Sequence, residues 1–354
     1  MRYTYTCFRL SACLVISTYL LSGCQKEIEQ GPLLTDFFAK SPSLSIKGTP
    51  IEIRDNDEIY FTQMWEMIYA EGMLIIRDKD LNHYFKVFNL NSSEITKLGK
   101  IGDGPNELQT DYTRASFDAA NRLVYLSNFP FYYAYSVDSL KNNSNTNPLY
   151  RLKIDPREDI LIESTISRGF VVGAMFRKRF GLYRLEDDYF SSFGEYEQGT
   201  FMSNQGLIFP HPLKKKSVML ARPSEAFAIL DYSDGNLSLI EDFKGWSSEQ
   251  IETEESGGIV RAISSEDAKY CFVSGATSEK YIYALYSGNL RSATEFIDPA
   301  LANIVYVFDW KGNPVKKLTL DYQVRSIAVD EENQKLYAAA FIDKELGLIK
   351  FDLR

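Results

Sequence analysis

The residues best placed to do chemistry are arginines at the ends of expected β-strands. Second strands of a repeating unit end at Arg77, at Arg177-Lys178-Arg179 and at Arg222. Inner strands begin near Arg114 and Arg325, in the matching phrases Thr113-Arg-Ala-Ser and Val324-Arg-Ser-Ile. A guanidinium is a planar fork of donors that holds carboxylates, sulfates or sugar hydroxyls. Trp65, Tyr112 and Trp246 lie nearby and are expected as aromatic platforms. Arg77, Arg114, Arg177 and Arg222, with these three aromatics, are therefore the expected ligand-binding residues. The structural alternative is that the arginines pair with Asp78, Asp103, Glu107 and Asp343 to fasten neighbouring units. A different chemistry, hydrolysis or elimination at one Ca²⁺, needs carboxylate and amide oxygens converging on an axis; Asp118, Asn128 and Glu163 are its candidates. The chain has no nucleophile elbow, HExxH or phosphate loop. His83 and His211 are its two histidines and stand far apart, so no zinc spacing exists and no metal ligands are assigned. An enzyme is thus the less favoured reading, and no cofactor is expected apart from the Ca²⁺ of that alternative.

The elements that must position these residues repeat. Six short alternating runs end in an apolar residue followed by Asp, Glu or Asn, at Phe88-Asn89, Val137-Asp138, Leu185-Glu186, Leu230-Asp231, Phe308-Asp309 and Phe351-Asp352. The apolar anchors are spaced by 49, 48, 45, 78 and 43 residues. That is close to the length of a four-stranded propeller blade. In the last unit Pro314–Leu320 reads as an outer strand and Val324–Val329 as the next inner strand; Lys335–Phe341 and Leu346–Phe351 follow as the second and third. The expected fold is all-β: a six-bladed β-propeller of four-stranded blades. The last blade lacks its outermost strand, and a spare segment, Leu44–Ile46 with Pro50–Ile53, precedes the first blade. Docked on the last blade, it would close the ring and remove an unpaired edge.

In such a blade the connections alternate between two faces. The turns on one face are short, as in Asp118-Ala-Ala-Asn121 and Ser233-Asp-Gly-Asn236. The long segments fall on the other: Gly102–Thr113, Gln198–Gln205, Lys244–Ala268 and Gly288–Asn303, where 293–302 is expected to hold a short helix. Insertions gathered on one face of a repeat protein point to its binding face. The arginines lie at the same strand ends.

The first 23 residues carry Arg2 and Arg9, an apolar stretch from Leu10 to Leu21, and then Leu21-Ser22-Gly23-Cys24. This resembles a bacterial lipobox, which implies cleavage before Cys24 and its lipidation. Residues 1–23 are read as the signal peptide, 24–43 as the lipidated cysteine and a tether, and 44–354 as the propeller. Acyl chains would hold the protein at a membrane, and an outer-membrane location follows, with surface exposure suggested by Gln25-Lys-Glu-Ile-Glu29. Loss of the signal removes two arginines and no acid, so the formal net charge moves from −9 to −11. That argues against nucleic acid as a partner. Cys7 and Cys13 leave with the signal and Cys24 would be lipidated, so Cys271, within Tyr270-Cys-Phe-Val, has no internal cysteine to pair with.

Two segments carry a family resemblance. Ile101-Gly-Asp-Gly-Pro-Asn-Glu-Leu108 resembles the Gly-x-Gly-Pro-x-Glu turn of six-bladed propeller lipoproteins of the TolB-like and NHL-like group, with Asn106 in place of the usual Gly. Lys280-Tyr-Ile-Tyr-Ala-Leu-Tyr-Ser-Gly288 is similar to a strand of the TolB-like members. The resemblance implies fold and location and assigns no activity. Together these features predict a monomeric binding module for a glycan, peptide or partner protein. A structural subunit of an envelope complex is the other non-enzymatic reading.

Overall fold

The computed structural model describes residues 31–53, 61–109, 113–143, 146–154, 161–175, 178–196, 206–246, 251–256, 259–264, 268–292 and 298–354. The signal segment, Cys24, Tyr112 and Arg177 lie outside the described residues. A short helix α1 (Leu34–Phe37) leads into β1 (Ser43–Ile46) and β2 (Gly48–Pro50). Four four-stranded antiparallel sheets follow. The first holds β3 (Glu66–Ala70), β4 (Met73–Arg77), β5 (His83–Asn89) and β6 (Ile95–Lys100). The second holds β7 (Arg114–Asp118), β8 (Leu123–Asn128), β9 (Phe131–Ser136) and β10 (Tyr150–Lys153), with helix α2 (Val137–Lys141) after β9. The third holds β11 (Leu161–Ser167), β12 (Phe170–Met175), β13 (Lys178–Arg184) and β14 (Tyr189–Glu195). The fourth holds β15 (Gly206–Pro210), β16 (Lys216–Ala221), β17 (Phe227–Asp231) and β18 (Ser238–Phe243).

A hairpin, β19 (Ile251–Ser256) and β20 (Ile259–Ser264), comes next. An eight-stranded sheet completes the chain with β21 (Lys269–Thr277), β22 (Tyr281–Leu290), β23 (Ala302–Asp309), β24 (Pro314–Asp330), β25 (Lys335–Ile342) and β26 (Glu345–Asp352), joined by β1 and β2. Its continuity comes from β24. The first part of this strand, to Thr319, pairs with β23, and Val324–Asp330 pairs with β25. The fold is an all-β propeller. Innermost strands contact one another in chain order, β3 with β7, β7 with β11, β11 with β15, β15 with β21 and β21 with β24, and β24 contacts β3.

The burial pattern follows from that stacking. A middle strand is covered on both sides by neighbouring sheets, so it reads as a continuous apolar run. Met73–Ile76 and all of β12 are buried. The outer strand β18 is only partly buried along its length. One apolar cluster joins Met73, Ile75 and Phe85 of the first sheet to Val124, Leu126 and Tyr135 of the second. Side-chain hydroxyls stitch inner strands across blades: Ile166 N donates to Ser116 Oγ (3.3 Å), and Ser326 Oγ donates to the Met64 carbonyl (3.0 Å).

The repeated anchors fall at or just after the ends of third strands, and the structure shows why the pattern recurs. The amides of Leu90, Val137, Leu185, Tyr232 and Leu353 donate to the carbonyls of Gly72, Arg122, Gly169, Lys215 and Gln334, at 2.9 to 3.1 Å. Each bond ties the end of a third strand to the turn between the first two. The Asp or Asn beside the anchor caps the following turn in three units: Asn89 accepts from Asn91 N, Asp231 from Ser233 N and Asp309 from Lys311 N.

The N-terminal segment departs from its expected role as a tether. From Leu33 onward it is docked. Leu34 and Phe38 are buried against Phe227, Tyr306 and Phe308. Phe37 packs on Phe243 with ring centroids 4.7 Å apart. Glu225, itself buried, accepts the Leu34 amide at 2.5 Å and the Tyr286 hydroxyl at 2.5 Å. The spare segment also divides. β1 pairs in parallel with Lys317–Leu320, and β2 pairs antiparallel with Ile349–Phe351 of β26. The expected helix over 293–302 lies partly outside the described residues; its described end, Asp298–Leu301, is a turn closed by Leu301 N on the Asp298 carbonyl (3.0 Å).

Candidate functional site

Antiparallel pairing brings the start of each first strand beside the end of its second. In the first sheet Glu66 stands opposite Arg77, and in the second Arg114 stands opposite Ser127. Glu163 occupies the same end of β11, next to a register shift between Leu161 and Glu163. Arg222 directly follows β16. Four blades thus supply charged groups to one end of the inner-strand ring.

Arg114 is the centre of the group. Its Nε donates to Glu163 Oε2, and its Nη1 lies 3.7 Å from Glu66 Oε1. Arg114 and Glu66 are both buried, at 8% exposure each. Burial opposes the charge on Arg114, but Glu163 and Glu66 outweigh it and hold its pKa above the ordinary value. Burial pushes the Glu66 carboxyl up, against the opposing pull of Arg114 and Arg77. Glu66 Oε2 is buried with no hydrogen-bond partner. The backbone of Arg222 fastens the next blade, since its carbonyl accepts from Cys271 N at 2.7 Å. Its side chain is half-buried, and burial lowers its pKa, with Glu163 the largest opposing influence. Among the described residues the Arg222 guanidinium makes no hydrogen bond or ion pair. Among the described residues Arg77, Arg114 and Arg222 are thus gathered with Glu66 and Glu163.

The other expected residues divide. Trp65 is 45% exposed at the same strand end, and Arg325 already lies 4.5 Å above its ring. Arg325 also pairs with Asp298 and donates to the Gln63 carbonyl (2.9 Å). Trp246 stands apart from the axial group: its carbonyl accepts Glu225 N (2.7 Å), and Lys269 lies 4.4 Å over its ring. Beside Arg177, Lys178 pairs with Glu195 and Arg179 holds Asp242 with two bonds of 2.7 Å.

Two of the four acids named as fastening partners, Asp78 and Glu107, serve other groups. Asp78 accepts from the amides of Thr62, Gln63 and Met64 and pairs with the fully buried Lys86. Glu107 closes its own turn, accepting from Gly104 N (2.9 Å) and Lys100 Nζ (2.6 Å). A Cβ at Gly102 would come within 2.1 Å of Glu107 Oε2, so this close approach requires glycine.

The Ca²⁺ candidates do not converge. Asp118 sits at the far end of β7 from Arg114, where it accepts from Asn121 Nδ2 (2.8 Å) and Arg168 N (3.1 Å). Asp330 repeats this turn with Asn333. Asn128 accepts from Gln109 N at 3.0 Å. Among the described residues no cluster of three His, Cys, Asp or Glu is arranged to hold a metal.

The opposite mouth holds a cavity of about 310 Å³, walled by Met67, Phe117, Phe209 and Val329 with Glu279 and Glu332 at its rim. Other acids there are already engaged: Glu71 by Arg122 and Lys141, and Glu331 by the Glu279 amide (2.7 Å). Glu66 Oε2 and the Arg222 guanidinium lie at the arginine end, which is the candidate developed below; other buried polar atoms without a hydrogen-bond partner, such as Ser167 Oγ and His211 Nε2, lie elsewhere. The unpaired state of Arg222 and of Glu66 Oε2 carries no sequence signal, because both depend on which side chains three other blades bring to the axis.

Residues 185–332 match the family model described as TolB-like 6-blade propeller-like. No curated protein matches the chain. Among solved structures, a Bacteroides fragilis protein assigned as exported shares 8% identity at a TM-score of 0.54, covering 87% of this chain and 98% of its own. A Bacteroides thetaiotaomicron protein of unknown function shares 11% identity at a TM-score of 0.52, covering 86% of this chain and 72% of its own. At these identities the likeness is one of fold. Among the described residues no helix is long and apolar enough to cross a membrane.

Proposed function

We propose that the protein is a binding module of the bacterial envelope. It is a six-bladed propeller lipoprotein anchored through Cys24 in the outer membrane, and it recognises a glycan, peptide or partner protein at the arginine-bearing mouth. The blade count rests on six inner strands in mutual contact and on the TolB-like match. The pairing of β2 with β26 supports closure of the ring by the N-terminal segment. The observation that carries the functional reading is the axial group itself: arginines of several blades gathered at one mouth of a chain with net charge −9, with the Arg222 guanidinium making no hydrogen bond or ion pair among the described residues. A charged group enclosed there is costly to desolvate unless something pairs with it.

A screen of glycan and peptide arrays with the wild type and with Arg222→Ala tests the reading. Ligands that bind the wild type and are lost on the variant support it. Ligands retained equally by the variant contradict it.

A further inference from the structure

We propose that the cavity at the mouth opposite the arginines is a second binding site, and that it takes a small organic cation with an apolar body, of the aryl-alkyl amine class. Five inner strands wall it: Met67 of β3, Phe117 of β7, Phe209 of β15, Ala276 of β21 and Val329 of β24 all face the same space. Its volume of about 310 Å³ is at the lower end of the range for small-molecule pockets, roughly 300–1,000 Å³, so it suits a small ligand.

The walls select an apolar body. The hydroxyls among the lining residues already have protein partners. Ser116 Oγ accepts from Ile166 N (3.3 Å), Thr277 Oγ1 donates to the Pro210 carbonyl (2.6 Å), and Ser278 Oγ donates to the Tyr281 carbonyl (3.3 Å). The Tyr69 hydroxyl bonds Asp330. Water inside the cavity therefore meets few free polar groups, and an apolar group that displaces poorly held water gains affinity.

The rim selects a cation. Five acids line the cavity, Glu71, Glu279, Asp330, Glu331 and Glu332, and no Lys, Arg or His lines it. They sit in or beside the turns that join first strands to second strands, so the fold gathers them around one opening. Among the described residues only Glu71 is matched by cations, Arg122 and Lys141. Asp330 is 3% exposed and is held by Asn333, and Glu331 accepts only the Glu279 amide. Among the described residues the Glu279 and Glu332 side chains make no hydrogen bond or ion pair, and both are exposed at the rim. Lys214 and Lys280 are next in sequence to lining residues, but they are exposed to solvent and do not line the cavity. Carboxylates around a low-dielectric opening concentrate cations there and repel anions. An ammonium at the rim would meet Glu279 and Glu332 while its apolar body enters between Phe117 and Phe209. The ring faces offer a cation a further attraction. The site thus differs from the arginine mouth in both its place and the charge of its ligand.

The test uses the full chain in detergent micelles, with four probes titrated by calorimetry at neutral pH against the same micelles without protein. 2-Phenylethylamine carries the cation and the apolar body, ethylamine the cation alone, 2-phenylethanol the body alone, and 3-phenylpropionate the body with an anion. 2-Phenylethylamine is expected to bind about tenfold more tightly than the other three. Glu279→Gln combined with Glu332→Gln should weaken it about three- to tenfold with the melting temperature retained, because both carboxylates are exposed and each contributes modestly. Added salt should weaken it in the wild type as well. Arg222→Ala, at the other mouth, should leave it unchanged. Equal binding of 2-phenylethylamine and 2-phenylethanol overturns the inference, as does equal binding of 2-phenylethylamine and ethylamine. Absence of 2-phenylethylamine binding, binding unchanged in the double variant, or binding lost in Arg222→Ala overturns it too.

Discussion

Replacing Phe38 with alanine separates a docked N-terminal segment from a free tether. Phe38 is 4% exposed, with its ring centroid 4.6 Å from Tyr306 and 5.0 Å from Phe308. Truncating a buried phenylalanine removes its transfer free energy and leaves a cavity, together about 3–5 kcal/mol. A tether would lose nothing measurable. At about 2–4 °C per kcal/mol for a chain of this order, the melting temperature should fall by roughly 6–20 °C. The assay is thermal unfolding by circular dichroism, with urea midpoints at fixed pH as a second reading. Leu44→Ala is the control: Leu44 is 45% exposed, and a substitution there should stay within about 0.5 kcal/mol. Leu34→Ala combined with Phe38→Ala should be non-additive, because both side chains belong to one apolar cluster. A Phe38→Ala melting temperature within a degree of the Leu44→Ala value would refute the docking argument.

Further outcomes follow from the same structure. Asp78→Ala removes a carboxylate partner of buried Lys86 and the acceptor of three backbone amides, and should cost about 3–5 kcal/mol by urea denaturation; a loss below 1 kcal/mol would show that the pair is not a structural hub. Burial holds the His211 pKa down, to about 4. The unfolded chain then binds this proton first, so stability is intact above about pH 6.5 and falls as pH drops toward 4. His211→Asn, which keeps an acceptor for Leu213 N and Lys214 N, should flatten that decline in urea midpoints; an unchanged pH profile assigns it elsewhere. Cys24→Ser should lose acylation and leave the membrane fraction on cell fractionation, and a variant that stays membrane-bound contradicts the lipobox reading.

The fold was legible where a residue's task is local. An apolar anchor followed by Asp or Asn marks a third-strand end because the backbone must turn there, and the acid caps that turn. Asp118-Ala-Ala-Asn121 was equally readable, since Asp and Asn bond within four residues. The docking of Phe37 and Phe38 was hidden: two aromatics in a short segment between prolines give no periodicity, and their partners lie about two hundred residues or more away. The axial group was half legible. Arginine at strand ends was visible, but the partners of Arg114 were not. Glu66 and Glu163 come from the blades on either side, and their meeting depends on inner-strand register. The hairpin of β19 and β20 read only as a long insertion, because its strands pair with each other and with no blade.

The central claim is that the arginine mouth holds the ligand, and a crystal structure of the full chain with its best array ligand tests it most directly. The account predicts ligand oxygens within hydrogen-bond distance of Arg222. A ligand seated instead in the opposite cavity, between Phe117, Phe209 and the rim carboxylates Glu279 and Glu332, would contradict it.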